Sequence, residues 1–352
     1  MPTIHVDGRQ LEAEEGQTIL EVARGAGLYV PTLCYHPKVG KAGLCRLCVV
    51  EVEGARALVT SCNTNATEGM VVRTASEPVL EARRMIIELL LADGEHDCLS
   101  CEMAGSCELQ EAAYRLGIKK RTFRPLSEPV PFDLSHRMIV RNPNKCINCF
   151  RCIRGCNNVV VNEVLEMGFR GARSMVIADQ NVPLGESSCV SCGECVQLCP
   201  TGALVEKKSI GRGRTWDLEQ VRTTCPYCGV GCQMDLHVDR AANRVVKVTG
   251  AEGLPPNNGM LCVKGRFAYD YPASPKRLTT PLIKKNGVQV PASWDEALDY
   301  TASRLAAIRD EHGPDAATSV CCAKDTTEND YATMKFMRAV IGTNNVDHCA
   351  RE

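Results

Sequence analysis

Residues 3 to 13 alternate apolar and polar side chains around Asp7-Gly8, the pattern of a two-stranded hairpin closed by a tight turn. The spacing changes at Thr18. Thr18 and Glu21 frame a capping box, and Ile19, Leu20, Val22, Ala23 and Ala26 form the apolar face of a short helix that Gly25 and Gly27 end. Strand-like runs return at Cys48–Val52, Ala57–Thr60 and Met70–Arg73. A second helix starts at Ser76 with Pro78 in its first turn, places Leu80, Met85, Ile86, Leu89 and Leu90 on its apolar face, and stops at Gly94. A third runs from Glu108 to Leu116 and ends at Gly117. Pro125, Pro129 and Pro131 mark a linker. Ser293 and Glu296 cap another helix that reaches about Arg309; a strand at Ala317–Cys322 and a helix around Glu328–Ile341 follow.

These elements predict a multi-domain α+β protein. Hairpin, helix and further strands over residues 1–76 suggest a β-grasp ferredoxin domain. The pieces after it are 77–120, a linker at 121–137, 138–206, 218–273 and a final α/β portion at 274–352. A basic, glycine-containing link, Lys207 to Arg214, joins the middle pieces. The formal net charge of -1 gives no electrostatic argument for nucleic acid. The most apolar stretch, Met85 to Ala92, is interrupted by Glu88 and falls far short of a membrane span. The opening residues have neither a basic nor an apolar leader region, so a cytoplasmic chain is expected.

Cysteine usage changes the picture most. The chain has 22 cysteines, and nineteen of them fall into five groups. A reducing compartment leaves them for metal rather than for disulfides. Cys146, Cys149, Cys152 and Cys156 form a C-x2-C-x2-C-x3-C run, and Cys189, Cys192, Cys195 and Cys199 repeat it, followed by Pro200. In such pairs three close thiolates grip one cubane and the fourth cysteine of each run reaches the other. One [4Fe–4S] cluster is therefore expected on Cys146, Cys149, Cys152 and Cys199, the other on Cys156, Cys189, Cys192 and Cys195. Paired zinc knuckles are the bland alternative, but they do not use triplets. Cys34, Cys45, Cys48 and Cys62, in a β-grasp setting, fit a [2Fe–2S] cluster, with zinc as the alternative. Cys225, Cys228, Cys232 and Cys262 enclose Gly229 and Gly231 and read as a further [4Fe–4S] site; alone they could hold zinc. Cys98, Cys101 and Cys107 lack a fourth thiolate, and His96 is the nearest candidate ligand, a loop histidine being the alternative. Cys321, Cys322 and Cys349 join no group and are expected to be buried free thiols.

The order of these groups carries a resemblance. The first 115 residues or so resemble the N-terminal part of the large iron–sulfur subunit of NADH:quinone oxidoreductase and of [FeFe] hydrogenases, which place a [2Fe–2S] domain before a cluster held by one histidine and three cysteines. In those families the histidine usually precedes the first cysteine by four residues; here that position is Gly94 and the histidine stands at 96. Residues 138–205 resemble the two-cluster ferredoxin domain of hydrogenases and NAD(P)-linked formate dehydrogenases. Cys225-Pro-Tyr-Cys-Gly-Val-Gly-Cys232 and Cys262-Val-Lys-Gly-Arg266 look like the N-terminal cluster domain of molybdopterin formate dehydrogenases. That resemblance implies that Lys264 lies between cluster and pterin. The tail from Gly342 to Arg351 is similar to the segment leading into the same family's active site, where selenocysteine or cysteine, here position 353 beyond Glu352, would ligate the metal. A chain cut at a UGA codon is one expectation, a deliberate or split boundary another.

The resemblance implies one [2Fe–2S] and four [4Fe–4S] clusters, about eighteen irons, and, in the whole enzyme, molybdenum or tungsten on a bis-molybdopterin guanine dinucleotide. It further implies formate oxidation or carbon dioxide reduction, with electrons relayed through the clusters toward a flavin/NAD(P)-binding iron–sulfur subunit or a hydrogenase subunit. The chain as given is expected to have no formate activity of its own. Two other readings remain: a non-catalytic electron-transfer subunit like that of NADH:quinone oxidoreductase, and the wiring arm of an [FeFe] hydrogenase.

Overall fold

The computed structural model describes residues 1–125 and 128–349 and divides the chain into two compact units. The first holds 1–219 with 239–242, the second 220–238 with 243–352. Among the described residues no helix is long and apolar enough to cross a membrane.

The first unit opens with β1 (Thr3–Val6) and β2 (Arg9–Glu12), paired antiparallel in the expected hairpin, with Ile4 opposite Leu11. Helix α1 (Ile19–Gly25) is closed by the Thr18–Glu21 capping box. Strands β3 (Val49–Val52), β4 (Val59–Thr60) and β5 (Val71–Arg73) complete a five-stranded sheet of order β2-β1-β5-β3-β4. β1 and β5 run parallel; the other pairs are antiparallel. Ile4, Val6, Val50 and Val72 from the sheet bury against Ile19, Leu20 and Ala23 of α1. This is the β-grasp arrangement.

Helix α2 (Glu77–Ala92) follows where the pattern places it, but its most buried row is Val79, Arg83 and Ile87. Of the expected face, Ile86 and Leu90 pack half-buried against the core, whereas Met85 and Leu89 are exposed. The reason is polar. Buried Arg83 donates from Nε to Leu47 O at 3.1 Å and from Nη2 to Val49 O at 2.8 Å, so the row that carries Arg83 must face the sheet. A hydrophobicity pattern cannot register a guanidinium that is buried because two carbonyls need it.

Helix α3 (Glu108–Arg115) begins directly after Cys107. The ferredoxin region consists of β6 (Ile139–Arg141), α4 (Arg151–Arg154) running on into a wider turn to Val159, β7 (Leu165–Gly168), β8 (Met175–Ala178), α5 (Glu194–Leu198) and β9 (Leu204–Glu206). β6 pairs antiparallel with β9, and β7 with β8. The basic link then lies along the second cysteine loop: Arg214 donates to Cys101 O at 2.6 Å and Leu99 O at 2.8 Å.

Apart from the end residues Glu219 and Asp239, the second unit contains a three-stranded sheet of β10 (Glu219–Thr224), β11 (Gln233–Asp239) and β12 (Arg244–Gly250), then α6 (Val263–Phe267) and the hairpin β13 (Leu282–Lys285) and β14 (Val288–Pro291). Helix α7 (Trp294–His312) starts at Ser293, whose hydroxyl accepts from Glu296 N. β15 (Ser319–Cys321), α8 (Thr327–Phe336) and β16 (Val346–His348) end the described chain, with β15 and β16 parallel.

Candidate iron–sulfur sites

The first cysteine group lies in the loop between α1 and β3 and in the turn after β4. Its thiols meet in two pairs: Cys34 hydrogen-bonds Cys45, and Cys48 hydrogen-bonds Cys62. Each shared proton splits its pair. The bond from Cys45 lowers Cys34 to about 5 and that from Cys62 lowers Cys48 to about 6, while Cys45 and Cys62 are raised. Backbone N–H groups also point at sulfur, from Leu33 to Cys45 Sγ at 3.4 Å and from Cys45 to Cys34 Sγ at 3.5 Å. Two thiol pairs match the demand of a two-iron cluster, in which each iron takes two thiolates.

In the second group Cys98, Cys101 and Cys107 act electrostatically on one another, and burial pushes Cys107 up to about 11. Gly202 closes this site, since a Cβ there would stand 2.7 Å from Cys101 Sγ. Position 94, where the resemblance places a histidine, admits only glycine. A Cβ at position 94 would lie 2.3 Å from Asn144 O, so no side chain fits there. The His96 ring occupies the adjoining space, with Nε2 3.1 Å from that same Cβ position. Nε2 also lies 3.1 Å from Leu90 O. A carbonyl only accepts, so Nε2 carries the proton and Nδ1 keeps its lone pair. Burial lowers the pKa of His96 and holds it neutral. A ring N–H fixed on a carbonyl is the usual second-shell tie of a metal-ligating histidine.

The third and fourth groups interleave. Cys146, Cys149 and Cys152 act on one another and on Cys199. Cys189 is gathered with Cys192 and Cys156. Cys195 acts on Cys152, so the two sites adjoin. Burial raises Cys146 to about 11 and Cys149 to about 12, and raises Cys152 as well. The two loops fold alike. Asn148 and Phe150 in one, and Ser191 and Gly193 in the other, share left-handed backbone, which turns N–H groups inward: Asn148 N–H meets Cys146 Sγ and Ser191 N–H meets Cys189 Sγ, each at 3.4 Å.

The fifth group brings Cys225 and Cys232 together with Cys228 and Cys262, at the start of α6. Cys228 and Cys262 are exposed. Lys264 is fully exposed, lies within the field of both, and sits beside Lys324, a like charge that lowers its pKa and that the sequence pattern did not single out. Cys322 and Cys349 are exposed rather than buried, with Cys349 Sγ 3.7 Å from Cys322 Sγ; Cys321 is half-buried. Cys321 ends β15, and Cys322 and Cys349 directly follow β15 and β16. The expected metal position beyond Glu352, and the approach to it at 350–352, lie outside the described residues.

Four features also escaped the sequence pattern: Arg151, Arg154, Lys38 and Glu194. The buried pair Lys38–Glu194 closes at 2.6 Å. Aligning the two ferredoxin runs on their cysteines sets Arg151 against Glu194 and Arg154 against Gln197, a difference that marks these positions as unlike.

The donor sets fit iron–sulfur clusters. Among the described residues no three cysteine, histidine or carboxylate groups close on a single-ion site. Buried thiols raised to about 11 and 12 give up their protons only to a metal cation beside them.

Cysteine sets of this kind, on a β-grasp sheet, a doubled ferredoxin loop and a mixed α/β second unit, define a multi-cluster iron–sulfur oxidoreductase, and the chain belongs to that family. Residues 1–77 match the 2Fe-2S iron-sulfur cluster binding domain, 83–122 the NADH-ubiquinone oxidoreductase-G iron-sulfur binding region and 145–203 the 4Fe-4S dicluster domain. Residues 218–274 match the molybdopterin oxidoreductase Fe4S4 domain and 277–352 the molybdopterin oxidoreductase family. The chain is 36% identical over 351 residues to the NADPH-Fe(3+) oxidoreductase subunit alpha of Geobacter sulfurreducens, covering 100% of this chain and 40% of that protein. It is 32% identical over 389 residues to a Staphylococcus aureus protein named "Putative formate dehydrogenase", covering 99% and 39%. A chain in the crystal structure of an NAD+-reducing [NiFe]-hydrogenase in the H2-reduced state aligns with a TM-score of 0.57 at 36% identity, over 61% of this chain and 91% of that one. The chain thus spans about 40% of the length of its curated relatives.

Proposed function

We propose that this chain is the iron–sulfur wiring portion of a formate dehydrogenase catalytic subunit. The observation that carries the reading is the convergence of five cysteine sets in one chain, the last with Lys264 beside Cys228 and Cys262 in a molybdopterin oxidoreductase Fe4S4 domain. The likeness to the Staphylococcus aureus protein supports formate as substrate.

In this reading Cys34, Cys45, Cys48 and Cys62 hold a [2Fe–2S] cluster. Cys98, Cys101 and Cys107 hold a [4Fe–4S] cluster with His96 Nδ1 as fourth donor. Cys146, Cys149, Cys152 and Cys199 hold the third cluster. Cys156, Cys189, Cys192 and Cys195 hold the fourth, and Cys225, Cys228, Cys232 and Cys262 the fifth. When bound, the clusters supply one-electron transfer, and a molybdenum or tungsten bis-molybdopterin guanine dinucleotide supplies the two-electron chemistry of formate. The residues present bind and insulate: buried loops exclude water from the third site, and backbone N–H groups stabilise thiolate charge. Lys264 and Lys324 offer a cationic face to an anionic pterin. A flavin/NAD(P)-binding iron–sulfur subunit or a hydrogenase subunit would be the partner, in the cytoplasm.

A second reading, an NADPH-linked electron-transfer chain without formate chemistry, is favoured by the higher identity to the Geobacter sulfurreducens subunit. Formate-dependent viologen reduction by the full-length protein separates the two. Turnover that rises with molybdate or tungstate supply is expected. No formate turnover, together with NADPH-dependent reduction by the assembled complex, would overturn the formate reading. Iron analysis of this chain tests the common part: about eighteen irons are expected, and four or fewer with bound zinc would refute it.

A further inference from the structure

The α4 segment places a guanidinium where three cluster loops meet. Arg151 stands two residues after Cys149, one before Cys152, and is 2% exposed. Its Nη1 and Nη2 grip Glu108 Oε1 and Oε2 at 2.5 and 2.8 Å, and Glu108 directly follows Cys107. Nη2 also donates to Tyr35 O at 2.7 Å, and Tyr35 directly follows Cys34. One side chain therefore ties segments next to the first, second and third cysteine groups. Arg154, a turn later, donates from Nη1 to Val39 O and Gly40 O at 2.9 Å each and from Nη2 to Cys34 O. The apolar packing around them is continuous: Leu33, Cys34, Leu47, Leu109, Ile147 and Cys149 belong to one buried cluster.

We propose that Arg151 is a positioning residue that fixes the [2Fe–2S] loop, the second [4Fe–4S] loop and the third [4Fe–4S] loop relative to one another, and that its charge raises the reduction potential of the clusters on either side. The inference rests on the cluster assignments above. Its charge acts on Cys149 and Cys45, and that of Arg154 on Cys34, Cys149 and Cys152. Reduction adds an electron to a site already carrying thiolates, and a nearby buried cation stabilises the reduced form. A neutral side chain could fill the same volume, and burying a charge is costly without paired bonds. The fork is also geometrically particular: two parallel bonds to one carboxylate and one to a carbonyl use a planar guanidinium as lysine cannot. The equivalent position in the other ferredoxin run is Glu194, which pairs with Lys38 instead, so the sign of the buried charge is reversed at the fourth site.

The test is EPR-monitored redox titration of the iron-loaded chain and its variants. Arg151→Gln is expected to lower the reduction equilibrium of the [2Fe–2S] centre and of the third-group centre by about tenfold or more, which is 59 mV for a one-electron couple. Arg151→Lys keeps the charge and is expected to recover most of that shift, while the magnetic coupling between the two centres weakens because the fork is lost. Glu108→Gln unmasks the cation and is expected to move both potentials upward. A purely structural role would not produce shifts of opposite sign. Shifts under about threefold in fully loaded Arg151→Gln, no recovery by lysine, or a fall in Glu108→Gln would each overturn the proposal. If Arg151→Gln fails to load iron, the sign of the Glu108→Gln shift decides. Iron content and the [2Fe–2S] spectrum of the unaltered chain report separately, so a failure of the cluster reading itself shows there.

Discussion

The ferredoxin run and the fifth cysteine site use similar ligands in opposite surroundings. At Cys146, Cys149 and Cys152 burial dominates: Cys146 and Cys149 are raised to about 11 and 12, Cys152 is raised as well, and Arg151 nearby is paired with Glu108. At the fifth site Cys228 and Cys262 are exposed, and Lys264 beside them is fully exposed. Ligand spacing sets what binds. The surroundings set how tightly folding depends on it. Metal binding to a buried thiol set expels its protons and adds its binding free energy to folding, and the fifth set, with Cys228 and Cys262 exposed, is expected to depend on metal less.

The sharpest way to break that contrast is to delete one ligand in each region. Cys152→Ala should empty the third site and lower the stability of the first unit by more than about 5 kcal/mol, as loss of a structural metal does. Cys228→Ala should remove only the fifth cluster. Iron content, EPR and thermal unfolding of both variants check this, and equal destabilisation would erase the distinction. Next, Glu194→Gln leaves Lys38 charged in a site where the two side chains are 2% and 4% exposed. Breaking such a pair costs about 3–5 kcal/mol, readable by denaturant unfolding. Removing both partners together should cost much less.

The second unit offers a pH test. Burial, and then Lys247, lowers His237 to about 4, while Nε2 lies 2.9 Å from Thr249 Oγ1. Its folded pKa is depressed below the ordinary value near 6.5, so the unfolded chain takes up the proton first. The stability from neutral His237 is complete above about pH 6.5 and is lost as pH falls toward 4. The loss should be on the order of 1–3 kcal/mol and should flatten in His237→Gln, followed by urea unfolding across that range. The smallest effect belongs to the exposed pair Lys285–Glu296, at 2.7 Å with side chains 55% and 44% exposed. Glu296→Gln should change stability by less than about 1 kcal/mol, and a cost like that of Glu194→Gln would undo the comparison.

Much of this was readable in the chain. The Asp7-Gly8 hairpin, the Thr18–Glu21 capping box, the break at Gly117 and the Ser293 cap lie where local chemistry puts them, because each depends on residues a few positions apart. The short cysteine spacings were legible for the same reason, whereas Cys62 and Cys262 stand far along the chain from the rest of their groups. What escaped depends on distant partners. The buried face of α2 turns on Arg83 meeting carbonyls at positions 47 and 49. Gly94 is dictated by Asn144 O, some fifty residues away along the chain. Arg151 is informative only once Glu108 and Tyr35 are seen beside it.

The parallel pairing of β1 with β5 sets an order of events during synthesis. His5 aligns with Val71 and Val6 with Val72, and Cys34, Cys45, Cys48 and Cys62 all lie between those strands in sequence. The sheet that encloses the first thiol pairs cannot close until its last strand has left the ribosome. A long loop must be ordered before non-local contacts compensate for it. The enclosure of the first thiol group is therefore completed by the emergence of residue 73 rather than by the arrival of Cys62.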